Sequence, residues 1–165
     1  MKQLKYSLLL IFLFSTVSCE KAEEYSIIPE IEYKDFIVKE NLPEYNAVEG
    51  TLNFSFVDGD GNIGVNQPDS INSDSTSSIE ENPNLYIKIY DKLNGEFQER
   101  DSLYEFRIPY LEGGTYIKSI KGNIEVDLLI LNKISDTIKF EFYIFDRDLN
   151  KSNIETSPEI ILTQK

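Results

Sequence analysis

Histidine and tryptophan are absent from the chain, and cysteine occurs once. Without histidine there is no Ser-His-Asp triad, no Cys-His pair and no histidine-bound zinc. A single cysteine, Cys19, permits no intramolecular disulfide. Long apolar runs are missing too: Leu8 to Phe14 falls well short of the roughly 20 residues that a spanning helix needs. No segment carries a helical hydrophobic period. Paired carboxylates are the catalytic chemistry that remains, and they would have to face each other across a cleft. The expectation is therefore a chain that is not an enzyme.

What is present begins with "MKQLKYSLLLIFLFSTVSCE". Lys2 and Lys5 form a basic start, an apolar stretch follows, and small and polar residues lead to Cys19, the layout of a secretory signal. Thr16-Val17-Ser18-Cys19 resembles the lipobox of bacterial lipoproteins, with Thr16 in place of the usual leucine. That resemblance implies cleavage before Cys19 and acylation of its thiol, and several acyl chains anchor firmly at about 0.8 kcal/mol per buried CH₂. The following "EKAEE", Glu20 to Glu24, resembles the signal that sends lipoproteins of Bacteroidota to the outer face of the outer membrane. Residues 1–19 are thus expected to be a signal peptide, 20–29 an acidic linker, and 30–165 a single domain.

Acidic residues outnumber basic ones. Removing Lys2 and Lys5 from sixteen basic side chains leaves fourteen against twenty-nine acidic ones, a net charge of −15. Such a chain repels nucleic acid and anionic lipid, and suits cations or basic partners. About 145 residues are enough for one domain with a real core.

Apolar and polar residues alternate along most of the chain, which predicts strands. In immunoglobulin order they fall near 31–38, 50–57, 84–91, 103–108, 120–131, 136–146 and 156–163. The parity of "IEYKDFIV" shifts between Ile31/Tyr33 and Phe36/Val38, which predicts a bulge near Asp35. Leu52, Phe54 and Phe56 share one face, as do Leu85, Ile87 and Ile89, and Ile138, Phe140, Phe142 and Ile144. About seven such strands predict an all-β, two-sheet antiparallel β-sandwich of the immunoglobulin or fibronectin-type-III kind. Residues 66–84, polar and serine-rich with two prolines, predict a mobile surface loop.

"FVDGDGNIGVN" ends the second strand and carries Asp58, Asp60 and Asn62. An EF-hand would need glycine at the sixth position and glutamate at the twelfth, where Ile63 and Asp69 stand. "DRDLNKSN" ends the sixth strand with Asp146, Asp148 and Asn150. In this type of sandwich the two strands run the same way, so their following loops share a pole. Four carboxylates there repel each other, and a hard cation such as calcium would relieve the repulsion. Asp58, Asp60, Asn62, Asp146 and Asp148 are the candidate ligands. The alternative is turn chemistry alone, since Asp and Asn form Asx-turns and glycine supplies positive φ. Arg147 and Lys151 would then offset part of the charge.

"FVDGDGNIG", "IPYL" (Ile108 to Leu111) and "DRDLNKSN" together resemble small uncharacterised Bacteroidota surface lipoproteins. Those pair D-G-D-G-D-[IL]-G with a later D-R-x-x-N-x-S-N on an immunoglobulin- or fibronectin-type-III-like domain. Asp58, Gly59, Asp60, Gly61 and Gly64 match, as do Asp146, Arg147, Asn150, Ser152 and Asn153. Asn62 stands where the pattern has aspartate and removes one charge. The resemblance implies an outer-membrane lipoprotein facing the cell exterior and no known catalytic activity.

Two functions follow as expectations. One is a binding or adaptor module that acts through protein contacts with a partner in the outer membrane. The other is a glycan-binding accessory of an uptake system, with Tyr86, Tyr90 and Tyr110 as stacking platforms and a structural calcium ion. Neither involves nucleic acid. A palmitate analogue is expected to label the protein in cells, and Cys19→Ala to abolish both label and membrane retention. Protease added to intact cells should degrade it; survival until lysis would mean that the anchored chain faces the periplasm.

Overall fold

Residues 25–65, 83–110 and 119–162 are described by the computed structural model. The signal segment with Cys19, the "EKAEE" run, Leu111 and most of the 66–84 loop lie outside the described residues. Eight strands follow in order: β1 (Glu30–Leu42), β2 (Ala47–Asp58), β3 (Leu85–Leu93), β4 (Glu96–Phe106), β5 (Ile120–Ile130), β6 (Thr137–Ile144), β7 (Glu155–Thr156) and β8 (Ile160–Ile161). One sheet has the order β1-β2-β5, and the other β4-β3-β6-β7 with β8 also on β6. All these pairings are antiparallel. This is the immunoglobulin-like two-sheet sandwich that the alternation predicts. Among the described residues the one helical element, a 3₁₀ turn at Pro43–Tyr45, is far too short to cross a membrane.

The pleat explains the core. Leu52, Phe54 and Phe56 of β2 point inward and meet Leu85, Ile87 and Ile89 of β3 and Ile138, Phe140, Phe142 and Ile144 of β6. Tilted ring contacts, Phe54 on Phe142 and Phe36 on Phe140, both at 5.0 Å between centroids, lock one sheet to the other. The expected bulge in β1 sits between Tyr33 and Asp35, so Lys34 is the extra residue, and a second shift falls between Val38 and Glu40.

β1 and β2 run further than the alternation's forecast, to Leu42 and from Ala47, paired to their ends, and two other strands differ more. The fourth begins at Glu96 rather than 103, because Asn94 and Gly95 both take positive φ and turn β3 straight into β4. The last strand is two short pieces, broken around Ser157–Pro158, where proline has no N–H for the ladder. Across the open side of the sandwich, Arg100 of β4 grips buried Asp91 with two bonds (2.7 and 2.9 Å) and donates a third to Leu131 O at 2.9 Å.

Phe142→Ala is expected to cost about 3–5 kcal/mol in urea denaturation, since it removes a buried ring and leaves a cavity between the sheets. A loss under about 1 kcal/mol would mean that the sheets are not held at this contact.

Candidate cation site at the pole of the sandwich

Asp58 lies two residues beyond Phe56, and Asp146 two beyond Ile144. Each is therefore the next inward position of a core row, one from each sheet. Both carboxylates are driven into the end of the core: Asp58 is 0% exposed and Asp146 2%. The following residues fold back over them in the same way. Asn62 N donates to Asp58 Oδ2 (2.7 Å), and Asn150 N donates to Asp146 Oδ1 (2.7 Å), each from four positions on. The two loops are twins, Asp-x-Asp-x-Asn at 58–62 and at 146–150, with positive φ at the fourth position of each (Gly61 φ 70°, Leu149 φ 64°). The common spacing was available in the sequence as a signal that both loops share one conformation.

The loops also bind each other. Arg147 N donates to Asn62 O at 3.2 Å. The Asn62 side chain, nine-tenths buried, donates its Nδ2 to Asp60 Oδ2 (3.2 Å) and to Asp148 Oδ2 (3.0 Å). Its amide is thereby oriented by two acceptors, and its Oδ1 is left buried with no partner. Asp58 Oδ1 is likewise buried with no partner. Carboxylate oxygens of Asp58, Asp60 and Asp146 lie within 4.8 Å of one another. Of the five candidate ligands, Asp58, Asp60 and Asp146 thus converge, Asn62 presents a free oxygen beside them, and Asp148 holds the Asn62 amide in place.

Arg147 and Lys151 do not neutralise this cluster. Arg147 turns its guanidinium to Ile63 O and Gly64 O (3.3 and 3.4 Å) and lies 4.9 Å above the Tyr110 ring. Lys151 sits 3.7 Å above the Tyr143 ring. The tyrosines considered as stacking platforms are themselves engaged. Tyr86 stacks on Tyr143 (5.2 Å, 17°), Tyr90 lies under Lys139 (4.9 Å), and Tyr110 under Arg147.

Burial pushes the Asp58 carboxyl up to about 6; the charges of Asp60 and Asp146 add to the push, and the Asn62 N–H opposes it. In the unfolded chain the same group titrates near 3.8. Between these values the folded state holds a proton that the unfolded state has lost, so this group lowers stability as pH rises from about 4 to about 6. In chelator, the wild-type chain is expected to lose on the order of 3 kcal/mol more than Asp58→Asn across that window, by urea denaturation. Equal slopes would mean that the buried carboxylate carries no such cost. Comparison with models of known protein families, with curated proteins and with solved structures found no match to this chain.

Proposed function

We propose that the chain is a non-catalytic binding module, carried on a lipid anchor at Cys19 on the exterior of the outer membrane, with its twin-loop pole ordered by one calcium ion. The observation that supports the ion is the pair of partnerless buried oxygens, Asp58 Oδ1 and Asn62 Oδ1, beside the Asp60 and Asp146 carboxylates. Turn chemistry accounts for Asp58 Oδ2, which takes a backbone N–H, and for both oxygens of Asp146, which bond Asn150 N and Nδ2. It leaves the two orphan oxygens unexplained, and a buried acceptor without a donor costs about 1–3 kcal/mol. Oxygen-only ligands in an irregular pair of loops suit calcium better than zinc, which favours nitrogen and sulfur, or magnesium, which demands a near-ideal octahedron.

The burial of Asp58 and Asp146 supports a structural rather than a catalytic use, because a substrate has no access to them. Protein contact is favoured over glycan stacking by the outer face of the β4-β3-β6 sheet. There Tyr86, Tyr143 and Phe145 pack ring to ring at 5.2–5.9 Å, and lysines lie over ring faces that a sugar would need. The outer-membrane address rests on the Lys2–Cys19 layout and the "EKAEE" run.

Calcium at a hundredfold excess over its dissociation constant is expected to stabilise the fold by about 2.7 kcal/mol. A dissociation constant of about 10⁻⁴–10⁻³ M is expected for a partly open extracellular site. Asp60→Asn and Asp146→Asn should each abolish the response, although the two residues sit on different loops. A melting temperature that is the same in chelator and in millimolar calcium would return these loops to turn chemistry alone.

A further inference from the structure

The chain enters the fold at the acidic pole. Gly59 N donates to Ser26 O at 2.7 Å, and a side chain at Gly59 would collide with the Tyr25 carbonyl. Lys121 Nζ holds the Tyr25 hydroxyl at 3.0 Å. Fully extended, the stretch from Cys19 to Tyr25 reaches at most about 20 Å. The far pole lies roughly 35–40 Å away along β2. An anchor at Cys19 therefore keeps the Asp58 pole close to the lipid and Tyr45, 71% exposed at the opposite turn, far from it.

Among the described residues this tethered pole carries exposed apolar side chains, as does the far end, where Ile134 and Ile161 are 61% and 65% exposed. Leu149 is 78% exposed, and Ile27, Ile28 and Ile154 are each more than half exposed. Asn153, next to Ile154, bonds the Ile31 backbone through Oδ1 (2.8 Å) and Nδ2 (2.9 Å), which brings the two stretches together. Leu149 is the informative one. It occupies the positive-φ position that its twin loop fills with Gly61, at a cost on the order of 1 kcal/mol for a side-chain-bearing residue. Glycine or asparagine would serve the turn better, and the leucine instead adds apolar surface at the tip of the loop. The cation site is unsaturated on the same side. Asp58, Asp60 and Asn62 offer one free oxygen each at most, both oxygens of Asp146 already accept a hydrogen bond, calcium takes six to eight ligands, and Asp60 opens to solvent.

We propose that the pole rests on the membrane that carries the anchor, with Ile27, Ile28, Leu149 and Ile154 in the headgroup region and the calcium ion joining Asp58, Asp60 and Asp146 to a lipid phosphate. This rests on the calcium reading above. Charge makes the dependence sharp: an acidic chain is repelled by anionic lipid, and the ion converts the most acidic part of the pole into the point of attachment. Membrane contact of exposed aliphatics then adds apolar burial to the electrostatic bridge.

The test uses the lone cysteine. The chain from Cys19 onward is coupled through that thiol to a maleimide lipid, which reproduces the tether whatever acylation occurs in cells. Vesicles contain brominated phosphatidylcholine and phosphatidylglycerol. Because the protein has no tryptophan, Leu149→Trp and Tyr45→Trp each give one indole, at the near and far poles. The expected result is several-fold stronger quenching at position 149 than at 45, present in calcium and lost in chelator. Equal quenching at both positions, quenching only at 45, or quenching at 149 that ignores chelator overturns the proposal. Calcium melting of the same variants, uncoupled, separates the two readings. Calcium stabilisation without quenching sinks the membrane contact and leaves the ion site standing, whereas no stabilisation sinks the site itself.

Discussion

The pleat of two strands in different sheets is the constraint on which the pole depends. Asp58 and Asp146 face each other only because β2 and β6 hold their inward rows in phase to the last residue. A one-residue slip in either strand would turn its aspartate out to solvent and bring a core residue out with it. The packing of Phe54 on Phe142 thus fixes more than stability. It sets the separation of the two sheets, and with it the distance between carboxylates that share no backbone hydrogen bond. The geometry of the pole is inherited from the hydrophobic core.

Two buried aspartates in this fold are treated in opposite ways. Asp91, at the far end of the β3 inward row, receives a bidentate guanidinium from Arg100 and so has a cation of its own. Among the described residues Asp58 has none, although Arg147 is joined directly to Asp146 and Lys151 follows closely. Both basic groups lie over aromatic rings instead. A chain that can pair one buried carboxylate so well leaves the other with half its acceptors empty. Its charge is then relieved by a proton, since burial raises the carboxyl to about 6, and the cation proposed above would compete with that proton.

Much of the sandwich was legible because its inner rows are unbroken. Alternation identified the faces of β2, β3 and β6 residue by residue, and even the β1 bulge near Asp35. It failed at β4, where Glu96 to Asp101 is polar or charged except for Phe97, and Phe97 faces outward beneath Lys92 and Lys139. An edge strand with little apolar content has no period to read; the Asn94-Gly95 turn was the better signal there. At the pole, the meeting of the two loops followed from topology, and so could be inferred. The engagement of Arg147 with Tyr110 could not, since which of several acceptors a long side chain chooses depends on packing far away in sequence. The burial of Asp58 was accessible in principle, as the next inward position after Phe56.

The twin loops show where local propensity and global structure part company. Both close an Asp-x-Asp-x-Asn turn with the same backbone bond and the same positive φ, yet one has glycine at that position and the other leucine. Conflicts between local preference and fold concentrate at sites with a second task. Here the conflict lies on a solvent-facing tip, where core packing offers the leucine nothing in return. It also lies beside an acceptor set that the protein leaves unfilled, at the end of the molecule nearest Cys19. Strain, unpaired oxygens and exposed aliphatics are each costly in an isolated domain in water. The last two become favourable, and offset the first, if the neighbour of that pole is a calcium-bearing lipid surface, which supplies oxygens for the ion and an apolar phase for the leucine.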